Sequence, residues 1–196
     1  RYGPSWVFVL NAVSFAFVIA SLLRVTLPPP PASGTRGLHR LLEGVRVAQA
    51  DRVVRQCLVT IFVFSFFSLP FITQLPKIAG DHLDIAPKSS AYGALYACFG
   101  IGAVIGALSI GTVFAQASKA RLTRIGLVGF AGMLVVFGSL RAAGPAYLAI
   151  LLLGAVYFAV ITSLSTVLQQ DLDDAVRGKV MALWIMGFGG TVAVAN

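Results

Sequence analysis

The 196-residue sequence has few charged residues, and none of its seven acids falls inside an apolar run. Charged residues make up 11% of the chain, whereas soluble domains carry about 25%, and apolar residues make up 58%. So few charges cannot cover a soluble globule of this size. The composition therefore excludes an ordinary soluble domain and predicts a polytopic membrane protein of the all-α class, built as a helix bundle.

Cysteine and histidine are also scarce, with two of each. Cys57 and Cys98 lie in or at the edge of apolar runs, where a thiol behaves as a small hydrophobic side chain. We therefore expect neither a disulfide nor a reactive thiol. His39 and His82 lie in predicted loops on opposite sides of the membrane, which excludes a metal cluster built on both.

The usual patterns of catalytic residues are missing as well. Asp171, Asp173 and Asp174 are closely spaced, but two cations follow them, which favours a charge-balanced loop over a metal site. No serine is expected on the same side as a histidine and an acid that would orient it. The sequence therefore predicts no enzyme, no metal and no cofactor.

What the sequence does have is a series of six apolar runs. The predicted spans are 6–25, 54–75, 91–115, 123–140, 146–168 and a sixth that starts at Val180. The predicted connections include a polar loop from Pro76 to Lys88, a turn from Arg141 to Pro145 and a tight loop from Asp171 to Lys179. Because the chain starts at Arg1 and ends inside an apolar run, we expect a fragment of a longer protein.

The longest polar segment, residues 27–53, is predicted to be a linker between two membrane blocks. Four consecutive prolines from Pro28 to Pro31 favour an extended conformation. After Gly37 the apolar residues recur at helical spacing, which predicts a short basic amphipathic helix. One interpretation is a solvated connector that lies against its own protein. The other is a helix that rests on an anionic leaflet and fixes one half of the protein against the other.

The basic residues predict the orientation of the chain. Eleven of the fifteen lysines and arginines fall on the side that holds the linker, the 116–122 loop and the 169–179 loop. This positive-inside bias predicts that the linker is cytoplasmic. The formal net charge of +8 therefore indicates a membrane face and not a nucleic-acid partner.

The third span is rich in glycine. Gly102 and Gly106 form a small-xxx-small pair, which lets another helix approach closely. The GxGxxxG pattern around them is not a dinucleotide fingerprint, because that motif needs a preceding strand. The pair predicts tight helix packing, with a surface that slides during conformational change as the alternative.

Three motifs carry a resemblance to a known family: EGVR at 43–46, YGALYACFGIGAVIGA at 92–107 and TSLSTVLQQDLDDAVRGKVMALWIMGFGG at 162–190. With one span, a long linker and further spans, the chain resembles the major facilitator superfamily. The similarity is to the bacterial efflux branch that includes enterobactin exporters and transmembrane secretion effectors. It implies helices six to eleven of twelve. Residues 1–26 would be the last helix of the N-terminal half, 27–53 the central linker, and 54–196 a C-terminal half truncated in its fifth helix.

The resemblance also implies a function. It implies secondary active efflux of an amphipathic small molecule, drug-like or siderophore-like, driven by proton entry across the bacterial inner membrane. The implied partners are the small-molecule substrate, the lipid bilayer, protons and the N-terminal half of the same chain. The alternative from another class is a non-transporting membrane scaffold or assembly subunit, which no motif favours.

Two sets of candidate residues follow from this resemblance. The first would line a substrate path and consists of Phe67, Phe71, Gln74, Tyr157 and Ser163; the alternative is that the aromatic side chains face lipid. The second would act as a cytoplasmic gate and consists of Asp174, Arg177, Gly178 and Lys179. Arg177, helped by Lys179, would pair with Asp174 or the carbonyl end of the fifth span in one conformation. Gly178 would let the chain turn before the last helix. The alternative role of both cations is a positive-inside anchor.

Overall fold

The computed structural model describes residues 5–25, 38–170 and 172–189, and α-helix is the only regular secondary structure in these residues. The helices are α1 Ser5–Leu23, α2 Leu38–Ala50, α3 Arg52–Leu83, α4 Ser90–Gly111, α5 Lys119–Ser139, α6 Ala143–Gln170 and α7 Asp174–Gly189. Five of them, α1 and α3 to α6, are long and apolar enough to cross a membrane. This confirms the all-α, polytopic class. The described part of α7 has 16 residues, fewer than the roughly 20 that a span needs.

The chain divides into two compact units, residues 1–34 and 35–196. Helix α1 is the described helix of the first unit, and its residues are apolar along nearly its whole length. Its two interior serines, Ser14 and Ser21, donate their hydroxyl groups to the carbonyl oxygens of Asn11 and Phe17, at 2.7 and 2.9 Å. These hydroxyl groups are therefore satisfied within the helix itself, as a helix in lipid requires.

Helix α3 is the longest described helix of the second unit. Asp51 caps its start, since the carboxylate accepts the backbone N–H groups of Val53 and Val54 at 2.7 and 3.1 Å. Its buried residues recur at intervals of three and four and form one continuous stripe. The stripe consists of Val54, Cys57, Ile61, Phe64, Ser65, Ser68, Leu75, Ala79 and Leu83. One face of α3 thus packs on the bundle along its whole length.

The predicted loop from Pro76 to Lys88 is wrong for its first half. Helix α3 continues through Pro76 to Leu83, and ends where Asp84 adopts a left-handed conformation with φ of 53°. The sequence is polar there, but Leu75, Ala79 and Leu83 stay buried one turn apart, so packing favours helix over the local composition. At 32 residues, α3 is about 48 Å long and therefore exceeds the hydrocarbon thickness of a bilayer.

Helices α4 and α6 make the most extensive helix–helix contact, followed by α5 and α6. The close approach depends on glycine, because a Cβ atom at three positions would overlap a backbone carbonyl group of the facing helix. The overlaps are Gly102 with Leu151, Gly106 with Ala155, and Gly154 with Phe99. The two glycines predicted for helix packing therefore lie at the α4–α6 contact.

The predicted turn from Arg141 to Pro145 is longer than the connection observed, because α6 already begins at Ala143. Pro145 lies in the first turn of α6, where backbone N–H groups have no acceptor within the helix, so its missing N–H costs no hydrogen bond. The Arg141 guanidinium donates to the carbonyl oxygens of Gly138 and Leu140, at 3.0 and 3.1 Å. It also contacts the His82 ring at 3.0 Å. His82 lies in the last turn of α3 and not in a loop as predicted.

Helix α2 packs on α7 and on the start of α3. Contact with α7 is close at Gly44, where a Cβ atom would lie 3.0 Å from the Lys179 carbonyl oxygen. Helix α7 starts at Asp174, which corrects the predicted loop up to Lys179 and the predicted span start at Val180. The start of α7 is stabilised by the Asp173 carbonyl, which accepts from the backbone N–H groups of Val176 and Arg177.

Candidate functional site

An aromatic cluster lies where α3, α5 and α6 meet. The ring centroids of Phe64, Phe130 and Tyr157 are 5.1, 5.2 and 5.6 Å apart, within the range of favourable aromatic contacts. Phe99 of α4 and Phe158 of α6 extend the cluster, with centroids 6.0 and 5.4 Å from that of Tyr157. The three central side chains are buried. The cluster therefore holds Tyr157 in the interior of the bundle.

Three buried serines on α3 and α6 add a polar component to this interior. Ser65, Ser68 and Ser163 are at most 1% exposed, and their hydroxyl oxygens have no hydrogen-bond partner among the described residues. The Tyr157 hydroxyl lies next to that of Ser68, without a well-formed hydrogen bond between them. Leaving a buried hydroxyl unsatisfied costs about 1–3 kcal/mol. These groups are therefore available to hydrogen-bond a polar ligand or a water molecule.

An apolar hollow of about 380 Å³ lies beside the cluster, between α3 and α5. Its α3 wall includes Phe64, Phe67 and Ser68, and its α5 wall includes Leu127 and Leu134. The hollow thus adjoins both the aromatic cluster and one of the unsatisfied hydroxyl groups. A cavity with many apolar contacts and few polar groups suits an amphipathic molecule.

The structure does not give the five predicted path residues one common environment. Phe67 is 71% exposed and Gln74 is also exposed, both outside the buried stripe of α3. Phe71 is half-buried and contacts Phe137 of α5, with ring centroids 5.5 Å apart. Tyr157 and Ser163 are buried on α6. Phe67 lines the hollow, whereas Tyr157 lies behind it, in contact with Phe64 and Phe130, which line the hollow.

A second group of candidate residues lies at the start of α7. The Arg177 guanidinium contacts the Asp174 carboxylate at 2.6 Å and donates to the Leu172 carbonyl oxygen at 3.2 Å. Their side chains are 45% and 90% exposed, so this ion pair contributes only about 0.3–0.5 kcal/mol. An interaction this weak can open and close at little cost.

Lys179 has a different partner from the one predicted. Its ammonium group contacts the Glu43 carboxylate of α2 at 2.5 Å, and both side chains are only about a quarter exposed. Gly44, the next residue on α2, lies against the backbone of Lys179. Gly178 is inside α7 with open space around its Cα, so it does not form the predicted turn before the last helix.

Glu43, Ser65 and Ser68 were therefore missed as candidate site residues, whereas the third buried serine, Ser163, was among those predicted. Glu43 was visible within the EGVR motif, and Gly44 and Ala48 are small residues one helical turn apart, which indicates a packing face on α2. The serines were visible as polar residues inside apolar spans. What the sequence could not indicate was that Ser65 and Ser68 fall on the buried stripe of α3.

The fold and these residues define a multi-pass helical membrane protein with an aromatic and hydroxyl-bearing interior. The chain belongs to the transmembrane secretion effector family of the major facilitator superfamily, since residues 1–196 match this family throughout. This confirms the resemblance found in its motifs.

Among curated proteins, the chain is 26% identical over 185 residues to the Enterobactin exporter EntS of Escherichia coli O81 (strain ED1a). The match covers 93% of this chain and 43% of that protein, so the chain spans less than half the length of this relative. No solved structure matches the chain.

Proposed function

We propose that this chain supplies helices six to eleven of a secondary transporter that exports an amphipathic small molecule. The observation that carries the proposal is the match to the transmembrane secretion effector family over residues 1–196. The aromatic cluster and the unsatisfied hydroxyl groups support it, because such an interior can contact an apolar molecule and hydrogen-bond its few polar groups. A relative that is an enterobactin exporter supports a drug-like or siderophore-like substrate.

The proposed substrate path runs along α3. Phe67 and Gln74 stand on its exposed side, where the N-terminal half of the transporter would face them. Phe71 lies between them, and Tyr157 and Ser163 supply polar groups from α6. Substrate would pass between the two halves, as in other transporters built from repeats.

The proposed transporter lies in the bacterial inner membrane with its linker, α2 and the start of α7 in the cytoplasm. The positive-inside charge distribution supports this orientation. The Asp174–Arg177 pair then acts as a weak cytoplasmic gate, and proton entry drives export. No acid lies inside an apolar run of this chain, so the residue that couples proton movement would lie in a part of the transporter outside these residues.

Transport in vesicles tests this function. The intact transporter is reconstituted with its linker side outward, the vesicle lumen is made acidic, and uptake of a fluorescent amphipathic dye or a catecholate siderophore is followed. Proton-coupled export predicts uptake that a protonophore abolishes. Uptake that persists with the protonophore would refute proton coupling, and no uptake from a broad substrate panel would refute the exporter.

Cysteine labelling tests the path. Single cysteines replace Phe67, Phe71, Gln74, Tyr157 and Ser163 in a transporter without Cys57 and Cys98, and a water-soluble thiol reagent is added. We expect labelling at Phe67 and Gln74 without substrate and protection with substrate, and slower labelling at the buried positions. Phe62 is the control, because it is 52% exposed on α3 but lies on a different face of the helix from Phe67, Phe71 and Gln74. Labelling of Phe62→Cys alone would show that the path lies elsewhere.

A further inference from the structure

Three arginines line one open hollow at the linker end of the bundle. Arg52 and Arg55 belong to the first turn of α3, and Arg124 to the second turn of α5. The hollow has a volume of about 840 Å³, and Gln56 and Thr60 add polar groups to its wall. Two helices thus bring three guanidinium groups around a space large enough to hold a ligand.

These guanidinium groups are not neutralised by acids within the described part of the chain. Arg52 and Arg124 form no ion pair with a described residue, and Arg55 donates to the Gln49 carbonyl oxygen at 3.2 Å. The neighbouring carboxylate of Asp51 accepts two backbone N–H groups as the α3 cap. The start of α3 adds its own partial positive charge. The hollow is therefore positively charged, and an anion would relieve the repulsion between its arginines.

The hollow becomes apolar towards the middle of the bundle. Val59 and Thr60 line both the basic hollow and the 380 Å³ hollow between α3 and α5. This apolar hollow, called the α3–α5 groove below, has Val63 and Phe67 on one side and Leu134 on the other. A site that is basic at one end and apolar at the other matches an amphiphile with an anionic head. A small inorganic anion would leave the groove empty.

We propose that this site binds an anionic phospholipid, with its phosphate among Arg52, Arg55 and Arg124 and an acyl chain in the α3–α5 groove. The guanidinium group suits phosphate because its planar N–H groups can donate to two phosphate oxygens at once. The inference depends on the proposed orientation, which places the arginines at the cytoplasmic leaflet, where anionic lipids attract basic residues. It does not depend on what the transporter exports.

Lipid binding to the purified intact transporter tests the head-group site. Native mass spectrometry in detergent measures retention of phosphatidylglycerol and of phosphatidylcholine by wild type, by Arg52→Gln/Arg124→Gln and by a control. The control is Arg46→Gln/Arg121→Gln, which removes the same charge from exposed residues that do not line the hollow.

A basic residue at a membrane surface contributes about fivefold to anionic lipid affinity, so the first variant should bind phosphatidylglycerol about 30-fold more weakly. Its affinity for phosphatidylcholine and the phosphatidylglycerol affinity of the control should stay within about twofold of wild type. Equal losses in both variants would overturn the site in favour of diffuse surface charge. Equal wild-type affinity for the two lipids would also overturn it.

Two further measurements separate the possible sources of phosphate and test the groove. Inorganic phosphate and glycerol phosphate should not displace bound phosphatidylglycerol; displacement that depends on the same arginines would show a site for a soluble anion and overturn the lipid assignment.

Phosphatidylglycerol with brominated acyl chains should quench the fluorescence of Val63→Trp, and less so after Arg52→Gln/Arg124→Gln. Absence of this quenching would show that another segment fills the groove and would overturn the acyl-chain placement. Neither readout requires transport, so this inference and the proposed function can fail separately.

Discussion

Replacing Gly102 by alanine should weaken the α4–α6 contact. The added Cβ atom would overlap the Leu151 carbonyl oxygen, which belongs to the backbone of α6 and cannot rotate away like a side chain. Overpacking typically costs about 1–3 kcal/mol, and a rigid obstacle favours the upper part of that range. Alanine in place of a helical glycine recovers about 0.5–1 kcal/mol. We therefore expect a net loss of about 1–2 kcal/mol in the free energy of unfolding.

Gly100→Ala on the same helix is the matched control, because nothing lies within 4 Å of a Cβ atom there. This control should be stabilised by up to about 1 kcal/mol. The measurement is unfolding of the purified transporter with increasing SDS, followed by circular dichroism. Equal unfolding midpoints for Gly102→Ala and Gly100→Ala would refute close packing at Gly102. If α4 also slides on α6 during transport, Gly102→Ala will lower the efflux rate per transporter molecule and not only the amount of transporter in the membrane.

Three further predictions concern the linker side and the chain as a whole. Arg177→Lys and Asp174→Asn should each lower efflux by about twofold at matched membrane abundance, because lysine lacks the planar fork that pairs with the carboxylate and asparagine lacks the charge. Wild-type efflux from both variants would leave only the role of an anchor. Glu43→Gln should destabilise the α2–α7 contact by about 1 kcal/mol in SDS unfolding, because it removes the ion pair with Lys179. The double variant Glu43→Lys/Lys179→Glu should restore part of the lost stability. If the double variant recovers no stability, the ion pair contributes nothing. Residues 1–196 expressed alone should insert into membranes but not transport, because the cavity of this fold lies between two halves. Substrate uptake by vesicles that contain only these residues would contradict the family-based function.

The helices could be predicted where composition alone decides the structure. A run of about 20 apolar residues must be helical in lipid, and α4, α5 and α6 accordingly lie close to the predicted spans. The family could also be predicted, because its motifs are short local patterns around residues such as Gly102 and Arg177. Local sequence was sufficient in both cases.

Local sequence was not sufficient where contacts between distant segments decide the structure. The segment after Pro76 is polar enough to favour a loop, yet burial of Ala79 and Leu83 against the bundle keeps it helical. Lys179 has acids nearby in sequence, but it pairs with Glu43, because α2 docks beside α7. For the candidate site, the residue types were readable, whereas the burial of Ser65 and the convergence of Arg52 and Arg124 depend on which helices meet.

The docking of α2 also shortens the covalent tether between the two units of the chain. Only Asp51 separates α2 from α3, and α2 belongs to the same compact unit as α7, so this helix travels with the second unit. The covalent connection between the units is thus the stretch from Val25 to Leu38, which can reach at most about 45 Å. The sequence of the tether can therefore vary without moving α2, whereas the attachment of α2 to α3 through Asp51 cannot change without moving it.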